Sequence, residues 1–208
     1  MKGLLLKDLY MSVKYGRSFL LFVLVFLAVS FVSRSNTFFL LYPCMFCSML
    51  PLTLLGYDER SHWQEYACTL PCSRAAQVSV KYLLCLIFGG AALLLSGICA
   101  AVQLQMSGSF SFEELSGMLV TMLTVALVTP ALSLPWIFKL GIEKGRIAFY
   151  VVIGATVAAG FILGQFIQPD LSAPVAPGLL LALLCLGVAA LFGLSWYLSI
   201  VFYRRREF

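Results

Sequence analysis

Apolar residues recur in long runs along the whole chain, at 18–33, 38–56, 82–102, 115–138, 147–167 and 178–202. A helix needs about 20 such residues to cross bilayer hydrocarbon. In lipid its backbone groups must be bonded within the segment, which leaves the helix as the available solution for separate runs. The pattern therefore predicts an all-α membrane protein: six transmembrane helices in a single transmembrane domain spanning 1–208. Composition agrees, since 62% of residues are hydrophobic and only 11% charged, against about a quarter charged in a soluble domain.

The first run is the shortest, with Arg17 placed to snorkel at its edge and residues 33–37 as an outer turn. Pro43 and Pro51 predict a kink or local unwinding in the second. Gly89, Gly90 and Gly97 permit close approach in the third, and Gly160-x-x-x-Gly164 in the fifth matches a helix-packing pattern that is also common by chance. Ahead of these runs, residues 2–17 read as an amphipathic interfacial helix. Lys7 and Lys14 share a face turned to water, and Leu6, Leu9, Tyr10 and Val13 form the opposite stripe. A basic segment before the first run, with no small-residue cleavage site after it, argues against a cleaved signal peptide.

Lysine and arginine set the orientation. With the N-terminus inside, every Lys and Arg except Arg34 falls on the inner side. Six spans with both termini cytoplasmic follow. The net charge of +5 is then loop charge and gives no case for nucleic acid. Seven cysteines lie mostly within apolar runs, where cysteine behaves as a small hydrophobe. Neither Cys44-x-x-Cys47 nor Cys68-x-x-x-Cys72 has a second pair to complete a metal site.

The richest polar stretch is the inner loop from Tyr57 to Lys81, which holds the only histidine, His62. Ser61 and Gln64 fit a capping box. Trp63, Tyr66, Ala67 and Leu70 fall on one helical face. Pro71 stops the helix, and Ser73 is placed to cap the next. A short helix over 61–70 results, with one apolar stripe to bury either on the protein's own membrane-facing end or on a partner.

Several chemistries find no residues here. The spans carry essentially no ionisable groups for an ion-driven carrier. His62 stands alone, without the ligands or the nucleophile that a protease or hydrolase requires. No Gly-x-x-x-x-Gly-Lys-Ser/Thr segment is present to bind ATP. Energy for any transport must come from elsewhere.

Two stretches carry a family resemblance. One is Tyr57-Asp58-Glu59, Trp63-x-x-Tyr66, Thr69-Leu70-Pro71, Ser73-Arg74 and Lys81-Tyr82; the other is the end of the chain, Leu198 to Phe208. With the predicted topology, they resemble the permease subunits of type-2 ABC transporters, in a bacterial branch that includes exporters of phenol-soluble modulins. The resemblance implies that 61–70 is a coupling helix docking in a separate ATP-binding cassette ATPase. Asp58, Glu59, Trp63, Tyr66, Leu70, Pro71 and Arg74 would make that contact, the apolar side chains as anchors and the charged ones at the rim. It implies a second permease, identical or paralogous. It implies no cofactor in this chain, with ATP and Mg bound by the ATPase.

Ser30, Asn36, Thr37, Ser48, Thr53, Thr156 and Gln165 are polar candidates for a substrate path, or simply bond their own helices. A pathway so poor in charge suits an amphipathic peptide or a lipid-like substrate. A non-transporting membrane partner of an ATPase, in peptide sensing or resistance, is the alternative.

Overall fold

A computed structural model of the chain describes residues 2–32, 38–63, 66–67, 73–106, 111–145, 147, 150–151 and 177–204. These residues form α1 (Lys2–Tyr15), α2 (Arg17–Val32), α3 (Phe38–Arg60), α4 (Arg74–Met106), α5 (Phe112–Leu140) and α6 (Pro177–Arg204). Helices α3 to α6 are long and apolar enough to cross a bilayer, and α1 with α2 could make a fifth span, bent by 61°. The described residues thus supply four to five of the six spans expected. The fifth apolar run, 147–167, lies outside them except for Ile147, Tyr150 and Val151. Helix α2 has 16 residues, roughly 24 Å at about 1.5 Å each, which is short of a hydrocarbon core.

Local chemistry explains the helix ends. Gly16 sits at the bend between α1 and α2; its N–H bonds the Ser12 carbonyl at 2.6 Å, and a Cβ there would collide with that same oxygen. Ser111 is extended and accepts the Glu114 N–H at 3.3 Å, an N-cap that sets the start of α5. Gly141 closes α5 with φ 84°, where a side chain would be strained, and its N–H returns to the Ile137 carbonyl at 2.9 Å.

Helix α3 runs on past Gly56 through Tyr57, Asp58, Glu59 and Arg60. The Ser61 hydroxyl donates back to the Asp58 carbonyl at 3.2 Å, at the end of α3; Gln64, the other half of the expected capping box, lies outside the described residues. The reversal falls at His62, with φ 51°, and Trp63, Tyr66 and Ala67 are helical beyond it. Ser73 does cap α4, accepting the Ala76 N–H at 3.2 Å.

Prolines within the spans leave carbonyls without a helical donor. Pro135 frees the carbonyl of Ala131, and Ser195 of α6 donates to it at 2.6 Å. Ser195 also shares a hydrogen bond with the Tyr82 hydroxyl of α4, as does Ser199, each at 2.7 Å. The Tyr82 ring stacks on Trp196, with centroids 5.6 Å apart and planes 3° from parallel. Three helices are thereby joined through one buried tyrosine, inside a core that includes Leu52, Leu55, Val78, Leu134, Ile137 and Phe192. A second core, toward the other end, gathers Val23, Leu27, Cys44, Ala92 and Met122.

Pairings fix direction. Ala131 meets Ser195, and Lys139 lies over the Phe202 ring, so α5 and α6 run parallel. Tyr82 meets Ser199, and Gln77 meets Tyr203, so α4 runs against them. One end of the bundle therefore collects α1, the end of α3, the start of α4 and the ends of α5 and α6. Among the described residues, lysine and arginine belong to this basic end.

Tyr82→Phe keeps the ring and removes the shared hydroxyl. With buried serines losing a partner, a cost of about 1–3 kcal/mol is expected, seen as a fall of several degrees in the thermal midpoint of the purified protein. An unchanged midpoint would show that the hydroxyl network contributes nothing to holding the helices.

Candidate functional site

At the basic end, charges from three helices meet out of water. Lys7 Nζ lies 2.5 Å from Asp58 Oδ1 and 3.3 Å from Asp8 Oδ1. Lys81 Nζ lies 2.7 Å from Asp58 Oδ2 and 2.7 Å from Asp8 Oδ2. Each lysine bridges both carboxylates, so the quartet is cyclic and neutral in sum. The aspartate side chains are 4% exposed and Lys81 8%; Lys7, at 24%, forms the outer edge. A cavity of about 30 Å³ adjoins the group, lined in part by Trp63, Gln77, Phe138 and Tyr203, which is room for a water molecule.

The geometry corrects the reading of α1. Lys7 does not face water: it points into the bundle, while Leu6, Tyr10 and Val13 are exposed. The packed face is Leu4, Leu5, Leu9 and Met11 against Leu50, Leu54, Val80 and Leu84, with Asp8 and Ser12 buried on it. Asp8 was not among the expected site residues. The signal for it was present: Asp8 is the only acidic residue before Asp58, and it lies one helical turn from Ser12 and Leu4, within an apolar stripe.

Asp58 is therefore engaged inside its own subunit rather than standing at a rim. Glu59, beside it, accepts the Ile142 N–H at 2.9 Å, tying the end of α3 to the turn after α5. Trp63 is half-buried under the Lys7 ammonium, 4.1 Å from its ring centroid, a cation–π contact. Tyr66 follows on the same short helix, its ring 5.4 Å from that of Trp63, and is 58% exposed. Arg74 donates to the Arg204 carbonyl at 3.0 Å, at the end of α6. Leu70 and Pro71 lie outside the described residues.

Gln77 completes the connections. Its amide donates to the Ala67 carbonyl at 3.4 Å and accepts from the Tyr203 hydroxyl at 2.8 Å. Trp63 is thereby linked to α1 through Lys7, and Ala67 to α4 through Gln77, which in turn meets Tyr203 of α6. Charged and hydrogen-bonded contacts thus join these residues to several elements at once. Among the described residues no group of His, Cys, Asp and Glu could hold a metal ion.

Beside this junction a cleft of about 850 Å³ opens between the end of α3 and the turn after α5. Thr53, Tyr57, Leu140, Ile142 and Ile147 give it apolar and hydroxyl surface, and Glu59, Arg60, Glu143 and Lys144 give it both signs of charge. Of the other polar candidates, Ser48 and Thr53 bond their own helix carbonyls. Ser30 instead accepts from Gln103 of α4 at 2.6 Å. Asn36, Thr37, Thr156 and Gln165 lie outside the described residues.

Compared with known protein families, residues 3–204 match the model of a family described as ABC-2 family transporter protein. No curated protein and no solved structure gives a significant match.

Removing one member of a buried ion cluster leaves an uncompensated charge, at a cost of about 3–5 kcal/mol. Lys81→Met alone is expected to lower the thermal midpoint strongly. Lys81→Met combined with Asp8→Asn restores neutrality and should cost less than the sum of the single changes. A double-mutant cycle on thermal unfolding measures this, and additive effects would mean that the charges act independently.

Proposed function

Because the chain belongs to the ABC-2 transporter family, we propose that it is the permease of an ATP-driven exporter, with a separate ATPase subunit docked on the short helix that begins at Trp63. The observation that carries this reading is the wiring of that helix: Tyr66 faces outward, while Trp63 and Ala67 connect to α1, α4 and α6. In this reading Tyr66, Trp63, Leu70 and Pro71 meet a groove of the ATPase. Arg74 adds a charge contact, and Asp58 and Glu59 anchor the helix from behind. ATP and Mg bind to the ATPase. Closure of paired ATPases pushes the helix, and the charged quartet carries the push into α1, α3 and α4 together.

The reading includes six spans, with both termini and the docking helix in the bacterial cytoplasm. Support comes from the parallel course of α5 and α6, which is the direction of fourth and sixth spans, and from the gathering of basic residues at one end. A second permease, identical or paralogous, completes the pathway. The cleft beside the docking helix suits an amphipathic peptide, because apolar walls and charges of both signs line one space of about 850 Å³. Thr53 and Tyr57 stand on its α3 wall, and cargo would enter there for movement outward.

Buried aromatic anchors contribute about 2 kcal/mol or more at interfaces. Tyr66→Ala is therefore expected to reduce co-purification of the ATPase by at least about tenfold, with the permease still folded. Full ATPase retention in Tyr66→Ala and in Trp63→Ala would reject the docking helix. Thr53→Trp narrows the cleft and should lower peptide efflux from vesicles while ATPase binding persists. Peptide binding without efflux in the unaltered complex would instead indicate a sensing partner.

A further inference from the structure

A second cleft, of about 280 Å³, lies between α5 and α6 and is separate from the docking helix and the first cleft. Its walls are Ala131, Leu132, Pro135, Leu191, Leu194 and Leu198, and Trp136, Lys139 and Phe202 stand at its basic end. Pro135 contributes to its shape by leaving α5 without one backbone donor, and Ser195 fills the resulting gap from α6.

Lys139 is the informative residue. Its ammonium lies 5.9 Å from the Trp136 ring centroid and 5.3 Å from that of Phe202. These rings hold it over the mouth of the cleft, and no carboxylate among the described residues pairs with it. A lysine in the last turn of a helix also answers the helix dipole, but that alone requires neither flanking aromatic rings nor an apolar cleft beneath. Trp and Lys at the end of a span are the side chains that sit at headgroup depth. Arg204, in the last turn of α6, adds positive charge at the same end.

We infer that this cleft holds one acyl chain of an anionic phospholipid, with the lipid phosphate on Lys139. An apolar slot topped by an unmatched cation complements a molecule with an apolar tail and a negative head. Basic pockets between spans recognise anionic headgroups by this chemistry. The site rests on the chain being a membrane protein, not on the direction or cargo of transport.

Tryptophan quenching reads the site directly. The full-length protein is reconstituted in phosphatidylcholine vesicles containing either brominated phosphatidylglycerol or brominated phosphatidylcholine at equal mole fraction. Trp136 is expected to be quenched more by the anionic lipid, corresponding to about a fivefold preference for one lysine near the membrane surface. Lys139→Arg keeps the excess and Lys139→Gln removes it. Trp136→Phe removes the excess from the total emission, which separates this cleft from Trp63 and Trp196. Inorganic phosphate, matched with chloride for ionic strength, leaves the excess in place. Equal quenching by the two lipids, an excess that survives Lys139→Gln, or one abolished by inorganic phosphate would overturn the site.

Discussion

Two aspartates and two lysines, drawn from three helices and closed on one another, hold the basic end of this protein together. Burying any one of these charges alone would be prohibitive. Buried together, they define a narrow set of positions, because each lysine must stay within reach of both carboxylates. Such clusters add little net stability over a well-packed apolar core. Their physical effect here is geometric: Asp8 fixes α1, Asp58 fixes the end of α3, and Lys81 fixes the start of α4. No two of these helices can shift apart without leaving a charge of the cluster unmatched.

The remainder of the basic end is arranged around that constraint. Lys7 faces the carboxylates and also covers the Trp63 ring, so the charge that anchors α1 positions the short helix as well. Glu59 lies next to Asp58 and reaches Ile142, which brings in the turn after α5. Gln77 lies one turn before Lys81 and bridges Ala67 to Tyr203, which brings in α6. Polar contacts at defined distances hold these elements in register better than an apolar surface, over which helices slide at little cost.

Much of the architecture was legible because the hydrocarbon requirement is strict. Apolar runs of sufficient length gave α3 to α6, and Ser73 announced the start of α4. Helix boundaries were less legible where helices outrun the membrane: Tyr57 to Arg60 read as loop because they are polar, yet nothing in them breaks a helix. Asp58 was singled out from its neighbourhood, but its partners could not be read, since Lys7 stands 51 positions away and Lys81 23, each on another helix. Lys7 looked solvated because it shares a face with Lys14. The competing pattern, in which Asp8 and Ser12 lie within the stripe of Leu4, Leu5, Leu9 and Met11, describes the buried face. A helix with polar residues on both faces has two plausible stripes, and a partner charge decides between them.

The same reasoning bears on how a span can contain prolines and still move as a unit. Pro135 interrupts the hydrogen bonding of α5. The carbonyl it frees is taken up by Ser195, which is itself held by Tyr82 of α4. The break in one helix thus becomes a bond between three, and stiffness lost along α5 returns as coupling across the bundle. Tyr82 lies on the residue after Lys81. The buried charge quartet and the buried hydroxyl network are therefore consecutive on α4, the first at the bundle's charged end and the second in its core. One turn of α4 thus carries both the ion pairs of Lys81 and the hydroxyl contacts that reach α6 and, through Ser195, α5.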